Sequence, residues 1–199
     1  MGRKLIFMAV IILITGLYSS CKKGDEDPAI SLLSRKERVC GKWKVAEGKV
    51  TYGTPDIIES DIFNEKGKLV VQLSQGSVEG TYSWLWEINK NGSYKIYKNM
   101  TAQYNPTFTM DEQGYWYFLS RSKEAHIKNK ECIAFQPLTI TENSVSYEYQ
   151  TADPVVYNII QLKNKKIRLE GDRDYKKTDG TAITEFVMHE DINLIPQDK

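Results

Sequence analysis

The sequence predicts an all-β fold, an antiparallel sandwich or barrel that follows one short helix. Stretches of alternating apolar and polar side chains recur at intervals of about 8–12 residues, which is typical of antiparallel sheets rather than of βαβ units. Asn91-Gly92 separates two of these stretches, and Asn-Gly is the strongest short-range signal for a β-hairpin. No linker divides residues 28–199, so we expect them to form a single domain.

Residues 1–20 have the pattern of a secretory signal peptide. Arg3 and Lys4 form a basic start, and the thirteen mostly apolar residues 5–17 are too few to cross a bilayer core, which takes about 20. Ser19-Ser20 then supplies the small residues that precede a cleavage site. A buried helix or a short membrane anchor is the alternative, and the terminal position and the polar break argue against it.

Removal of this segment leaves a chain that is close to neutral. It takes away Arg3 and Lys4 and no acid, so 27 basic residues become 25 against 26 acidic residues, a net charge of −1. Phosphate binding needs a clear basic excess, so we expect no nucleic-acid partner. The remaining 179 residues are enough for one domain with a sizeable core.

The residues "SSCK" at 19–22 resemble a bacterial lipobox, with Tyr18 where that motif usually has leucine. The resemblance implies that Cys21 is acylated on sulfur, becomes the new N-terminus and anchors the protein in a membrane. The acidic residues 25–27 resemble the tag that sends Bacteroidota lipoproteins to the extracellular face of the outer membrane. If they are only a solvated linker, the protein lies on the periplasmic face. Residues 21–27 are then an acidic tether.

Lipidation of Cys21 leaves two further cysteines, Cys40 and Cys132. An oxidising compartment allows them to form a disulfide. The alternative is that each is a small buried hydrophobic residue. The sequence leaves both alternatives open.

The chain from Asp27 to Gly41 predicts a short helix. Asp27 is a good N-cap, Pro28 suits the first helical position, and Gly41 suits the left-handed position that ends a helix. Ile30 and Leu33 give this helix a narrow apolar stripe.

The rest of the chain is predicted to be strand and turn. The residues around the Asn91-Gly92 turn form the hairpin with the strongest signal, and residues 163–165 connect a second one. The stretch 115–119 is apolar on both faces, which indicates a central strand, whereas residues 171–180 read as a polar loop. The predicted strands are 42–45, 67–73, 81–88, 93–98, 115–119, 144–150, 155–162, 166–171 and 182–190.

A short helix that runs through a glycine into Gly41-Lys42-Trp43 resembles the opening of a lipocalin. The remainder is similar to the lipocalin-like domains of Bacteroidota lipoproteins over most of residues 38–190. The matching positions are Asn91, Gly92, Tyr157, Ile159, Leu162, Lys166 and Ile167. The resemblance implies an antiparallel up-and-down barrel of eight to ten strands, with the helix plugging one end and Trp43 packed over it. Residues 101–137 depart from the pattern and leave the strand count open.

A barrel of eight strands is either filled by its side chains or holds one small ligand. Aromatic residues on the predicted inner faces suit a pocket or a packed core. They are Trp43, Trp84, Trp86, Tyr94, Tyr115, Tyr117 and Tyr147. We therefore expect a binding protein for a small apolar or aromatic ligand. The alternative is an interaction module with a packed interior that contacts a protein or a glycan at the cell surface.

Catalytic and metal-binding patterns are weak. His126 lies in a polar stretch and His189 ends the predicted last strand, with no Cys-x-x-Cys or His-Glu-x-x-His spacing in the sequence. Since no nucleophile, base and orienting group occur together, we expect no enzymatic activity, no metal and no cofactor.

Two acidic pairs have simple explanations. Asp172 and Asp174 resemble the start of a calcium loop, but the next ligand position is Lys176, a cation. Glu59 and Asp61 alternate along a predicted strand and are expected to be solvated acids at a sheet edge.

Overall fold

A computed structural model describes residues 31–54, 57–103, 107–124, 126–127, 129–148, 153–178 and 183–197, without the side chains of 147, 173–178 and 183–186. The predicted signal peptide, Cys21 and the acidic tether lie outside the described residues, as do Asp27, Pro28 and Ile30.

The described chain contains one short helix and eleven antiparallel strands, and the strands form a single sheet that closes into a ring. The elements are α1 (Arg35–Val39), β1 (Gly41–Thr54), β2 (Ile57–Phe63), β3 (Lys68–Leu73), β4 (Gly76–Ile88), β5 (Ser93–Ala102), β6 (Phe108–Phe118), β7 (Cys132–Glu142), β8 (Val145–Glu148), β9 (Val155–Lys163), β10 (Lys166–Thr178) and β11 (Ile183–Pro196). The expected all-β antiparallel barrel with a short N-terminal helix is confirmed.

The strand count differs from the expected eight to ten because two strands change partners along their length. Residues 41–44 of β1 pair with β4, whereas residues 48–54 pair with β2. Likewise, the first four residues of β7 pair with β9 and its last four pair with β8. Near α1 the ring therefore has the eight strands β1, β4, β5, β6, β7, β9, β10 and β11. The described strands β2, β3 and β8 are added toward the opposite end.

Tyr82 of β4 lies where β1 changes partner. Its hydroxyl is within hydrogen-bond distance of the carbonyl oxygens of Val45 (3.0 Å), Ala46 (2.9 Å) and Asn64 (3.0 Å). The pairing of β1 with β11 is irregular at the same place, between Val45 and Glu47. Burial raises the pKa of Tyr82 to about 12, so the hydroxyl stays protonated and keeps its donor.

The helix is shorter than the sequence predicts. Ser34 is its N-cap: the Ser34 hydroxyl accepts from the Glu37 N–H (3.2 Å), and the Glu37 carboxylate accepts from the Ser34 N–H (2.9 Å). This capping box fixes the start of α1 at Arg35, so the predicted helical stretch before it is wrong at residues 31–34. Leu33, placed on the predicted apolar stripe, is exposed.

The end of the helix also differs from the prediction. Cys40 caps α1 in an extended conformation, and Gly41 begins β1 instead of taking a left-handed conformation. A Cβ atom on Gly41 would lie 3.3 Å from Nε1 of Trp43. The glycine therefore favours close approach of the indole and does not serve a left-handed turn.

Hydrogen bonds tie α1 to the eight-stranded end of the barrel. The indole N–H of buried Trp43 donates to the Val39 carbonyl (2.9 Å), and the Arg38 guanidinium donates to the Leu162 carbonyl on β9. Trp43 thus packs over this closed end, as expected.

Both predicted hairpins are present. Asn89 to Gly92 connect β4 and β5, with Gly92 at φ +92° and the Asn89 N–H bonded to the Ser93 carbonyl (2.9 Å). Asn164-Lys165 connects β9 and β10.

The predicted polar loop at 171–180 is wrong for its described part. β10 continues through Thr178 and pairs with β11 from Ile167↔Leu194 to Thr178↔Ile183. Backbone pairing needs no apolar side chain, so a polar sequence forms a strand where the rim of a barrel meets water. The last strand also runs on to Pro196, which places His189 inside β11 rather than at its end.

An aromatic cluster fills the closed half of the barrel. The Phe135 ring lies edge-on to Trp86 (5.1 Å between centroids) and to Tyr94 (5.0 Å), and Tyr157 lies 6.0 Å from Trp86. These rings are almost fully buried.

Candidate ligand-binding cavity

A cavity of about 430 Å³ lies inside the barrel at the end opposite α1 and opens to solvent. Among the side chains that the structure describes, inward-facing residues of seven strands line it: Val50 and Tyr52 (β1), Asp61 and Phe63 (β2), Trp84 (β4), Lys98 and Met100 (β5), Phe108 and Met110 (β6), Glu142 (β7), Met188 and Glu190 (β11). Side chains point alternately to the two faces of a strand, so where one strand contributes two lining residues they are two positions apart.

Trp84 forms the boundary between the cavity and the packed half of the barrel. It is 2% exposed, and its ring lies 5.5 Å from Phe63 and 6.3 Å from Trp86, measured between centroids. The Lys98 ammonium lies over the Trp84 ring, 3.7 Å from its centroid, in a cation–π arrangement.

A buried acid balances the Lys98 charge. Glu190 is 1% exposed, and its Oε1 lies 3.7 Å from the Lys98 ammonium. The Tyr157 hydroxyl, from the aromatic cluster below, donates to the other oxygen of Glu190. The deep wall of the cavity therefore contains a buried ion pair with additional hydrogen bonding, which offsets the cost of burying the charges.

Asp61 is a second buried acid in the cavity wall. It is 8% exposed, and its Oδ1 accepts a hydrogen bond from the Tyr52 hydroxyl (3.2 Å). Burial raises the pKa of the Asp61 carboxyl, while the Tyr52 hydrogen bond and the Lys98 charge act in the opposite direction. The expected solvated edge is thus wrong for Asp61, because β2 pairs with β1 on one side and β3 on the other.

The remaining wall is apolar and adaptable. Met100, Met110 and Met188 contribute flexible thioether side chains, and Phe108 adds an aromatic ring. Methionine fills irregular spaces and adjusts to ligands of different shape.

The sequence-predicted aromatic residues fall into distinct groups. Trp84 lines the cavity, whereas Trp43, Trp86 and Tyr94 are core residues. The predicted inward position is wrong for Tyr115 and Tyr117, which are 56% and 44% exposed and lie on the outside of β6. The inward residue between them is Trp116, which is buried. β6 pairs with β5 on one side and with β7 on the other, so the expected central strand is confirmed, but only one of its faces is buried. The Tyr147 side chain lies outside the described residues.

Sequence reasoning missed the polar residues of the cavity. Tyr94, Ile96 and Lys98 share one face of β5, so a lysine interrupts an apolar face. Asp61 likewise precedes buried Phe63 by two positions. In both strands, the signal that could have identified these residues was a charged side chain at a position where the alternation predicts an inward-facing apolar one.

The structure also places the two remaining cysteines. Cys40 and Cys132 are free thiols, so the disulfide alternative is not realised. Cys132 is buried and its thiol donates to Oδ1 of Asn158 (3.0 Å). Burial raises the pKa of both thiols, which keeps them protonated and poorly reactive.

The histidines lie away from the cavity. His189 is on the outer face of β11, with Nδ1 2.7 Å from Asp172 Oδ1 and Nε2 3.6 Å from Glu170 Oε1. His126 takes a positive φ of 54° in the connection between β6 and β7. Within the described ranges, no group of three or more histidine, cysteine or acidic residues has an arrangement that could hold a metal ion.

No helix in the described part of the chain has the length and apolar character needed to span a membrane. No protein-family model, curated protein or solved structure matches the chain.

Proposed function

We propose that the protein is a membrane-anchored lipoprotein, exposed at the cell surface, that binds a small apolar or aromatic molecule in the open end of its barrel. The observation that carries the proposal is the cavity of about 430 Å³ beyond Trp84. Ligand sites in proteins typically have volumes of about 300–1,000 Å³ and combine an apolar lining with a few polar groups.

The packing of the barrel also supports ligand binding at its open end. The closed half is filled by the aromatic cluster around Trp86, so the fold does not depend on a ligand there. The open half instead presents Phe63, Phe108 and the methionines to an unfilled volume. Apolar surface that faces an open cavity gains free energy when an apolar molecule displaces water from it.

A second candidate remains, an interaction module for a protein or glycan. The exposed rings of Tyr115 and Tyr117 favour it, because exposed tyrosines are common in binding surfaces. Native mass spectrometry of the protein purified from its own host separates the two candidates. A bound small molecule supports the cavity proposal, whereas a bound protein or glycan without a small molecule supports the second candidate.

Filling the cavity provides a test with a matched control. Met188 and Val187 are neighbours on β11, but Met188 lines the cavity and Val187 is exposed. We expect Met188→Trp to reduce the fraction of protein that carries the small molecule by about tenfold or more, since the indole occupies its space. Val187→Trp should leave that fraction unchanged. Equal occupancy in both variants would place the ligand outside the cavity.

The anchor is tested separately. We expect wild-type protein to partition with membranes and to carry an acyl group, and Cys21→Ser to be recovered in the aqueous phase. The reason is that stable anchoring depends on acyl chains, each buried CH₂ contributing about 0.8 kcal/mol. Detergent phase partitioning and mass spectrometry of the N-terminal peptide measure both properties. A wild-type protein without acyl mass would contradict the lipoprotein proposal, and surface protease treatment of intact cells distinguishes the two membrane faces.

A further inference from the structure

The charges of the described cavity wall do not balance. Three carboxylates line it, Asp61, Glu142 and Glu190, against one ammonium, that of Lys98. Lys98 lies on the Glu190 side, where it meets an acid that is 1% exposed. Among the described side chains, Asp61 and Glu142 are therefore the cavity acids that have no lysine, arginine or histidine nitrogen within 4 Å.

Asp61 is the more unusual of these two acids. Only 8% of its surface is exposed, and its described hydrogen-bond partner is a neutral hydroxyl, that of Tyr52. Across the described side chains, no lysine, arginine or histidine forms an ion pair with Asp61. A buried carboxylate with no cation within 4 Å costs free energy, and the more distant Lys98 charge offsets only part of that cost, since burial still raises the pKa of Asp61.

The surroundings of Asp61 suit one kind of partner. Phe63 is two residues along the same face of β2, and Phe108 and Met100 lie in the same wall. Aromatic rings attract cations through their faces, and a carboxylate accepts the N–H groups of an ammonium. The mouth residue Glu142 adds a further negative charge on the path into the cavity.

We infer that the ligand of this cavity is a small organic cation, an amine on an apolar or aromatic body, with Asp61 as its counter-ion. The inference rests on the proposed function and specifies its ligand class. The ammonium group takes the position beside Asp61 Oδ1 and the Tyr52 oxygen, and the apolar body lies against Phe63, Phe108 and the methionines. Lys98 and Glu190 keep their own pairing below it.

Three probes of the same ring size test this assignment: naphthylmethylamine, naphthalenemethanol and naphthoate, which are cationic, neutral and anionic at neutral pH. Titration calorimetry with the wild-type chain should rank the amine about tenfold or more above the alcohol, with the acid weakest. Equal or tighter binding of the alcohol or the acid would overturn the cation assignment and leave the proposed function standing. If none of the three probes binds, both the cation assignment and the proposed function fail.

Two matched variants locate the charge that selects the amine. Asp61→Asn keeps the shape and the acceptor for Tyr52, and we expect it to reduce the amine-to-alcohol preference to about twofold or less. Asp111→Asn makes the same change on the outer face of β6 and should retain the full preference. If Asp61→Asn keeps the preference, Asp61 is not the counter-ion. The ranking of the probes by the wild-type protein stands as a test even if a variant folds poorly.

Discussion

Replacement of Trp86 by alanine is expected to lower the free energy of unfolding by about 3–5 kcal/mol. The Trp86 side chain is 2% exposed and contacts Phe135 and Tyr157 edge-on in the aromatic cluster. Its removal leaves a large void between strands on opposite sides of the barrel, and these strands cannot collapse inward without losing their backbone pairing. Urea denaturation followed by far-UV circular dichroism measures the change.

Tyr115→Ala is the control for this experiment. Tyr115 is also an aromatic residue on a β-strand, but it is 56% exposed on the outer face. We expect a change within about 0.5 kcal/mol, as for other surface substitutions. Comparable losses for both variants would contradict the placement of the core, since they would mean that Trp86 is no better packed than an exposed ring.

Replacement of Lys98 by methionine is expected to lower the free energy of unfolding by about 3 kcal/mol. Methionine retains most of the apolar stem over Trp84 but removes the ammonium that faces Glu190 at 3.7 Å. Glu190, 1% exposed, then keeps the hydrogen bond from Tyr157 but loses this opposite charge. A buried charge whose opposite partner is removed is costly, and the same denaturation experiment measures that cost.

A double variant separates the loss of the charge from the loss of packing. Lys98→Met combined with Glu190→Gln removes both charges, so we expect it to be more stable than Lys98→Met alone. Additive losses would show that the two residues do not interact. For comparison, Lys42 lies 3.6 Å from Glu87 in an exposed pair, and Lys42→Met should change the stability by less than about 1 kcal/mol.

Local sequence patterns were sufficient to predict most strands of the barrel. Alternation identified strands such as β4 and β5, and Asn91-Gly92 identified the turn between them. The extension of β10 through residues 171–178 was missed because its side chains are polar. Its strand structure comes from backbone pairing with β11, a partner that is distant in sequence for most of its length. Such pairing has no local signature.

The cavity was harder to predict than the barrel. An aromatic wall residue, Trp84, was recognised because large apolar side chains point inward by default. Asp61, Lys98 and Glu190 were assigned to solvent or overlooked, since the same default places charges outside. Their burial follows from the register of several strands around a closed ring, which no single stretch of sequence reveals.

The change from eight strands near α1 to a wider set at the opposite end has an evolutionary consequence. The residues that hold the closed end, such as Trp43 and Trp86, lie on strands that form the eight-membered ring. The hairpin of residues 57–73 and the short strand at 145–148 lie outside this ring and contribute to the other end. Insertions or substitutions in these two segments can therefore alter what enters the barrel while the folding core is retained. Among descendants of this chain, we expect ligand selectivity to diversify through these segments before the residues of the closed end change.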